Sequence, residues 1–174
     1  MAPSRRDALI LGGVGIAATA AGALAGVLAL QARSGAAGLL AARFPDTEGR
    51  QRRLLDWRGR ALLCNFWATW CAPCREEIPL LVAAMQDSQR SGLQIVGIGI
   101  DSADKISEFT RIYKVNYPVL VADATAIELM RALGNRAGGL PFTVLLDPRG
   151  ALVERWFGAL TRADLERVLA AFPR

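Results

Sequence analysis

The sequence predicts an α/β domain with a central mixed β-sheet flanked by helices, preceded by an apolar N-terminal segment. Residues 61–67 and 93–100 are nearly continuous apolar runs of strand length, which is typical of strands buried on both faces. Apolar residues at helical spacing follow each run. Because strands alternate with helices and the last two strands are separated only by a turn, we expect parallel and antiparallel pairs in one sheet.

The first half of the domain begins with polar, β-forming residues. A lead-in strand and turn are predicted over residues 46–60, where Gly49 and Gly59 flank these residues. The buried strand at 61–67 follows. The next helix presents an apolar stripe at i, i+3, i+4 and i+7, formed by Ile78, Leu81, Val82 and Met85. Pro79 interrupts this helix and predicts a kink.

The second half alternates short strands with amphipathic helices. After the strand at 93–100, a helix is marked by Ile106, Phe109 and Tyr113. A short strand at 118–121 leads to a helix containing Ile127, Met130 and Leu133, which Gly134 ends. Strands at 142–146 and 151–157 flank the turn sequence Asp147-Pro148-Arg149-Gly150. The last helix begins at Thr161, with Asp164 as its capping partner, and buries Leu165, Val168, Leu169 and Phe172.

The N-terminal segment at residues 8–32 carries no charge and follows Arg5 and Arg6. Its length suffices to cross a bilayer core of about 30 Å, but Ala and Gly make it weakly hydrophobic. It is either a retained anchor or a cleaved export signal. The two arginines fit a twin-arginine signal or the positive-inside rule. Either route delivers the chain to the outer face of a bacterial-type inner membrane, an oxidising compartment.

The domain division follows from this pattern. Residues 1–33 are predicted as anchor or signal, 34–44 as a small-residue linker, and 45–174 as the folded domain. The net charge is +5. A local arginine cluster could bind an acidic partner or lipid head groups, or form a solvated hairpin face; its members are Arg50, Arg52, Arg53, Arg58 and Arg60. No aromatic residues interleave with them for base stacking, so nucleic-acid binding is not expected.

The segment Trp70-Cys71-Ala72-Pro73-Cys74 places two thiols one helical turn apart behind a buried strand. At the start of a helix, free N–H groups and the helix dipole stabilise the Cys71 thiolate and lower its pKa. Cys74 is then placed to attack a mixed disulfide formed by Cys71. Such a pair beside a βαβ pattern is typical of a redox site.

Other roles for the cysteines fit less well. Zinc needs four ligands, whereas the chain has no histidine and only one further cysteine, Cys64. A purely structural disulfide would close too short a loop to constrain the unfolded chain. Cys64 lies in the apolar strand and is interpreted as a buried thiol, and Trp67 as a core residue.

A second motif, Gly138-Gly139-Leu140-Pro141, precedes the strand at 142–146. Proline is tolerated at a strand start. If the Leu140–Pro141 bond were cis, the Leu140 backbone would turn outward and could pair with an extended substrate strand. From local sequence alone, trans is the default.

FWATWCAPC with Glu77 and Pro79 after it, together with GGLPFTVLLDPRG, resembles the thioredoxin superfamily, and more narrowly its TlpA/ResA-like membrane-anchored thiol–disulfide oxidoreductases. The resemblance covers residues 44–174. It implies a thioredoxin-like fold with an extra strand and helix before a cis-proline at Pro141. It also implies Cys71 as the nucleophile and Cys74 as the resolving thiol, which close into a redox-active disulfide.

The resemblance also proposes roles for neighbouring residues. Where thioredoxin has a buried aspartate, this chain has Asn65, which cannot take a proton. Glu77 is either the acid/base group or a plain surface carboxylate; Glu76 is expected to be solvated. Trp70 either docks substrate or packs against the domain. The substrate-binding set is completed by Pro73, Leu140 and Pro141.

The predicted function is an exported oxidoreductase that reduces disulfides of periplasmic proteins, such as apocytochrome c or copper-site proteins. A membrane thiol-electron donor is needed to recharge it, and no cofactor or metal is expected. One alternative is a thiol peroxidase, although Ala68 and Cys64 stand where it needs Thr or Ser and Pro. Another is a copper chaperone using the two thiolates. The direction of electron flow depends on the reduction potential, which the sequence does not set.

Overall fold

The computed structural model describes residues 26–27, 30, 35–88 and 91–173. The twin arginines and nearly all of the predicted anchor or signal lie outside these residues. Within the described part of the chain, no helix is long and apolar enough to cross a membrane.

The first elements pack beside the main sheet. Residues 35–41 are helical (α1). Strands β1 (Arg43–Pro45) and β2 (Gln51–Arg53) pair antiparallel as a separate two-stranded sheet. A short 3-10 helix, Leu54–Trp57, follows them. The predicted lead-in strand is therefore a hairpin, which its two short polar strands did not reveal.

Five strands form the main sheet, and their bounds are β3 (Ala61–Trp67), β4 (Leu93–Ile100), β5 (Val119–Ala122), β6 (Phe142–Leu146) and β7 (Leu152–Phe157). Their spatial order is β5-β4-β3-β6-β7. Strands β3, β4 and β5 are parallel, whereas β6 is antiparallel to both β3 and β7. The mixed sheet predicted from the sequence is confirmed.

Four further helices cover this sheet, namely α2 (Ala72–Ser88), α3 (Ala103–Ile112), α4 (Ala126–Ala132) and α5 (Arg162–Ala171). Helices α2, α3 and α5 bury apolar side chains in the cluster on one face, whereas α1, α4 and β1 contribute to the cluster on the other. Side chains of β3 alternate between the faces: Leu63 and Trp67 join the first cluster, and Leu62 and Phe66 join the second. Between β4 and Pro141 lie α3, β5 and α4, which include the predicted extra strand and helix.

The segment predicted as a linker contributes to the core. Within it, Ala36 and Leu39 of α1 are buried in the second cluster, and so is Phe44 of β1. Residues 35–44 are therefore packed against the sheet rather than extended between two parts of the chain. The small-residue composition concealed this because only a few apolar side chains are needed to cover that part of the sheet.

The arginine cluster lies only partly on the β1–β2 hairpin, and four of its five members contact partners within the domain. Arg50 pairs with Asp46 and Glu48. Arg53 pairs with Asp56, and the Arg52 guanidinium lies over the Trp57 ring. The remaining engaged member, Arg60, donates to the Gln94 side chain and the Leu93 carbonyl.

Two predicted local motifs are confirmed. The Asp147 side chain accepts hydrogen bonds from Arg149 and Ala151, which closes the turn between β6 and β7. Thr161 caps α5 through a reciprocal pair of hydrogen bonds with Asp164. Pro79 lies inside α2, and the kink expected there stays a prediction.

Candidate active site

The two thiols lie at the start of α2, just beyond the carboxyl end of the central strand β3. Cys71 and Cys74 form a disulfide with Cα atoms 5.3 Å apart. The Cys71 carbonyl accepts the hydrogen bond of Arg75 N–H at 3.2 Å, so Cys71 occupies the N-cap of the helix. Cys71 is 6% exposed, whereas Cys74 is fully buried. Cys71 is thus the more exposed of the two residues.

A partly buried hydrogen bond connects the loop before the thiols to the end of strand β4. The Thr69 hydroxyl donates to the carboxylate of Asp101, which follows β4 directly. The same carboxylate accepts from Ser102 N–H and pairs with Lys105 at 3.3 Å. Burial raises the pKa of Asp101, but these contacts outweigh it and lower the pKa below its usual value. Sequence analysis missed this group, although a carboxylate directly after a buried strand was a usable signal.

The proline motif lies at the same end of the sheet. The Leu140–Pro141 peptide bond is cis, as the resemblance implied. Phe142, which follows it, pairs with Phe66 near the end of β3. Pro141 is buried, and Leu140 packs against both core clusters. The structure therefore brings the second motif to the edge that carries the thiols.

The remaining predicted docking residues face solvent. Trp70 is 68% exposed, so the interpretation of Trp70 as a packing residue is wrong. Pro73 is also exposed. Phe157 at the end of β7 is another large exposed side chain, and the N–H of its neighbour Gly158 donates to the Pro141 carbonyl. A role for these side chains in substrate docking stays a proposal.

Glu77 lies one helical turn after Cys74, with its side chain directed into the core. It is only 1% exposed, so the surface-carboxylate alternative is wrong. Asn65 Nδ2 donates to Glu77 Oε1 at 2.7 Å, and Leu160 N–H donates to Oε2 at 2.8 Å. Burial raises the pKa of Glu77 to about 7, against the smaller lowering effect of these two hydrogen bonds. A carboxyl with this pKa exchanges protons near neutral pH.

The pH dependence of stability gives a direct test of this assignment. In the folded state Glu77 binds a proton more tightly than in the unfolded chain, where its pKa is near 4.5. The folded protein therefore holds more protons between these two values, and its free energy of unfolding falls as pH rises through that window. We expect Glu77 to account for a loss of about 3 kcal/mol between pH 4.5 and 7.

The oxidised protein is suited to measuring the contribution of Glu77 to the free energy of unfolding. The chain has no histidine that would titrate near pH 7, and the paired cysteines do not titrate. Urea unfolding of wild type and Glu77→Gln at several pH values measures it. The wild-type stability should decline relative to the variant from pH 4.5 to 7 and run parallel to it above pH 8. Parallel curves over the whole range would show that the carboxyl has an ordinary pKa.

Cys64 and Glu76, two other residues considered in the sequence analysis, take no part in the proposed disulfide exchange. Cys64 is fully buried, and burial raises the pKa of its thiol far above its usual value, so it remains protonated at neutral pH. Glu76 is exposed, as predicted. Trp67 is fully buried, which confirms its place in the core.

A dithiol pair at a helix N-terminus, beside a cis-proline and above a buried carboxyl, defines the chain as a thiol–disulfide oxidoreductase of the thioredoxin-like fold. Comparison with known proteins agrees with this class. The chain belongs to the AhpC/TSA family, whose sequence model matches residues 39–159.

Relatives of known name are thiol–disulfide oxidoreductases. The chain is 30% identical over 125 residues to ResA of Geobacillus thermodenitrificans, covering 71% of this chain and 70% of that protein. It is 31% identical over 126 residues to ResA of Bacillus cereus, with the same coverage of 71% and 70%.

Solved structures show the same fold. A thiol:disulfide interchange protein from Chlorobium tepidum superimposes with a TM-score of 0.64 at 27% identity, covering 75% of this chain and 91% of the other. A thioredoxin-related protein from Neisseria meningitidis gives a TM-score of 0.66 at 28% identity, with coverage of 75% and 97%.

Proposed function

We propose that the protein is exported and reduces disulfides of other proteins outside the cytoplasm. One observation carries the proposal: Cys71, the more exposed of the two cysteines, sits at the N-cap, and the buried Cys74 and the buried Glu77 carboxyl follow it along the same helix. This order matches the order of steps that dithiol exchange requires.

In the first step the Cys71 thiolate attacks one sulfur of a substrate disulfide. A mixed disulfide forms, and the other substrate sulfur leaves as a thiolate that takes up a proton. Cys74 then loses its proton and attacks the Cys71 sulfur. The reduced substrate leaves, and two electrons have passed from the dithiol to it. We assign to Glu77 the acceptance of the Cys74 proton, since it is the buried carboxyl one turn away.

The local charges favour the reducing direction. Strong oxidants of this chemistry stabilise their reduced form by lowering the thiolate pKa. Here Ala72 and Pro73 between the thiols supply no positive charge, and the chain has no histidine. Glu77 adds a negative charge when it ionises, which disfavours a nearby thiolate. The dithiol is therefore expected to give up its electrons readily.

The proposed substrates, location and partners rest on the sequence motifs, the relatives and the N-terminal sequence. Relatives named thiol–disulfide oxidoreductase ResA support disulfide exchange as the reaction. Apocytochrome c or copper-site proteins are proposed as substrates from the resemblance of the sequence motifs alone. A similar structure at 26% identity is named a secreted thiol-disulfide isomerase, which supports an extracytoplasmic location. The apolar residues 8–32 would tether or export the chain. A membrane thiol-electron donor would restore the dithiol after each cycle.

The AhpC/TSA match does not by itself separate a dithiol reductase from a thiol peroxidase, so the residues around Cys71 decide between them. A thiol peroxidase needs a hydroxyl and a proline where this chain has the buried residues Ala68 and Cys64. A copper chaperone on this fold adds a histidine to the two thiolates, and the chain has no histidine.

The reduction potential tests the proposed direction. Equilibration of the Cys71–Cys74 pair with glutathione buffers, followed by acid quench and alkylation, gives the potential. We expect a value near that of thioredoxin, about −270 mV, and well below the value of about −180 mV for protein disulfide isomerase. A potential near −120 mV would identify an oxidant and refute the proposal. Cys64→Ala serves as the control, because it leaves the pair intact.

A further inference from the structure

Three buried polar atoms have no hydrogen-bond partner among the described residues: Asn65 Oδ1, Trp67 Nε1 and Tyr117 Oη. Trp67 and Tyr117 belong to the core cluster under α2, and Asn65 projects from the same face of β3 because it lies two positions before Trp67. Buried polar groups are nearly always satisfied in proteins. All three atoms lie on the sheet face that is covered by α2, the helix that carries Glu77. We therefore look for one explanation for all three.

Gly97 brings these atoms together. In the β3–β4 register Gly97 is the partner of Asn65. A Cβ at Gly97 would lie 3.0 Å from Trp67 Nε1 and 3.1 Å from Tyr117 Cε2. Because glycine has no side chain, the tryptophan and tyrosine rings occupy the space over β4, directly beside Asn65. Asn65 in turn donates to Glu77 at 2.7 Å.

The three atoms are chemically complementary. Asn65 Oδ1 can only accept a hydrogen bond, Trp67 Nε1 can only donate one, and the Tyr117 hydroxyl can do both. None of the three forms a hydrogen bond with another. A water molecule that accepts from Trp67 and donates to Asn65 would satisfy both, and a tyrosine hydroxyl beside it completes the usual three partners of a buried water.

We propose that Trp67 and Tyr117 hold a buried water against Asn65 and Glu77, and that Tyr117 is a positioning residue for the proton exchange of Glu77. The proposal rests on the acid/base role of Glu77 given above and names the group that tunes it. The Tyr117 hydroxyl donates to the water, and the water adds one donor to the ionised carboxyl beside those of Asn65 and Leu160. They thereby favour the charged form in a site where burial disfavours it.

Few polar groups surround Glu77, so the effect of Tyr117 on its pKa can be measured separately from theirs. Asn65 of β3 and the Leu160 N–H before α5 donate to Glu77, Tyr117 before β5 lies within electrostatic range of it, and Cys74 precedes it by three residues on the same helix. Among the described residues, Glu77 is the one charged side chain in the buried set. Burial first, and then the charge of Glu77, raise the pKa of Tyr117 above its usual value. The phenol therefore keeps its proton and can donate it at neutral pH.

The test is a titration of Glu77 in the oxidised Tyr117→Phe variant. ¹³C-labelled glutamate carboxyls are followed by NMR, and the Glu77 signal is assigned by its loss in Glu77→Gln. We expect the pKa of Glu77 to rise from about 7 by about one unit, because the water that donates to the charged form is no longer held by the Tyr117 hydroxyl. Tyr113→Phe is the matched control. The Tyr113 hydroxyl accepts from Arg75 on the surface, so its removal should leave the titration unchanged.

An unchanged Glu77 pKa in Tyr117→Phe would overturn the proposal. So would a high-resolution crystal structure of the wild type with no water within hydrogen-bond distance of Tyr117 Oη, a result that does not depend on how well the variant folds. A separate result addresses the proposed function. If Glu77→Gln leaves the pH profile of thiol alkylation unchanged, the acid/base role of Glu77 fails, whereas the NMR titration still decides the role of Tyr117.

Discussion

Replacing Cys71 with alanine is expected to reduce disulfide exchange at least about a thousandfold, because the covalent nucleophile is lost. Cys74→Ala is expected to give a different result. Cys71 can still attack, but nothing resolves the mixed disulfide, so the variant should retain its protein substrates as covalent adducts. Turnover of an oxidised peptide measures the first effect, and non-reducing gels with mass spectrometry of the adducts measure the second.

Cys64→Ala is the matched cysteine control for both variants. It removes a thiol from the same sheet region, but that thiol is fully buried. The exchange rate should remain close to that of the wild type. Adducts that form through Cys74 in Cys71→Ala, or exchange that continues at half the normal rate, would contradict the assigned order of the two thiols. Adducts recovered from Cys74→Ala would also identify which exported proteins the enzyme reduces.

Trp67→Ala is expected to lower the free energy of unfolding by about 3–5 kcal/mol, a large part of the total for a domain of this size. Trp67 is fully buried and its ring centroid lies 4.9 Å from that of Phe109 on α3. It also packs against β4, because a Cβ at Gly99 would lie 3.3 Å from Trp67 Cζ2. Its removal therefore leaves a cavity between β3, β4 and α3. Urea unfolding of the oxidised protein measures the loss.

Trp70→Ala is the matched tryptophan control. Trp70 is three residues further along the chain but 68% exposed, so its loss should change stability by no more than about 0.5 kcal/mol. Equal losses for the two variants would show that the contrast in burial is not present in solution. A loss below about 1 kcal/mol for Trp67→Ala would contradict the packing described around Gly97 and Gly99.

The parts of the fold that were predicted correctly have strong local signals. The strands at 61–67 and 93–100 have the predicted bounds because apolar residues fill both of their faces. The α5 cap was found because Thr161 and Asp164 have the spacing of a capping pair. The β1–β2 hairpin and the packing of α1 were missed, since each depends on a few apolar residues that meet the sheet only in three dimensions.

The active-site residues show the same contrast between local sequence signals and contacts that form only in the folded chain. The dithiol and the proline motif are contiguous in sequence and were found. The burial of Glu77 depends on Leu160, a residue 83 positions away, which no local pattern connects to it. Likewise, Asn65 was predicted only as a residue unable to take a proton, whereas the structure shows it as the donor that holds Glu77. The buried carboxyl is thus supplied by the active-site helix rather than by the strand behind it.

The most direct measurement is site-resolved alkylation of the reduced, folded protein. Brief treatment with iodoacetamide across pH 5–9, followed by peptide mass spectrometry, reports the reactivity of each cysteine. We expect Cys71 to be modified at neutral pH while Cys74 and Cys64 remain protected until the protein unfolds. Protection of Cys71 equal to that of Cys64 would contradict the claim that its sulfur is ionised and reachable, and with it the proposed catalytic cycle.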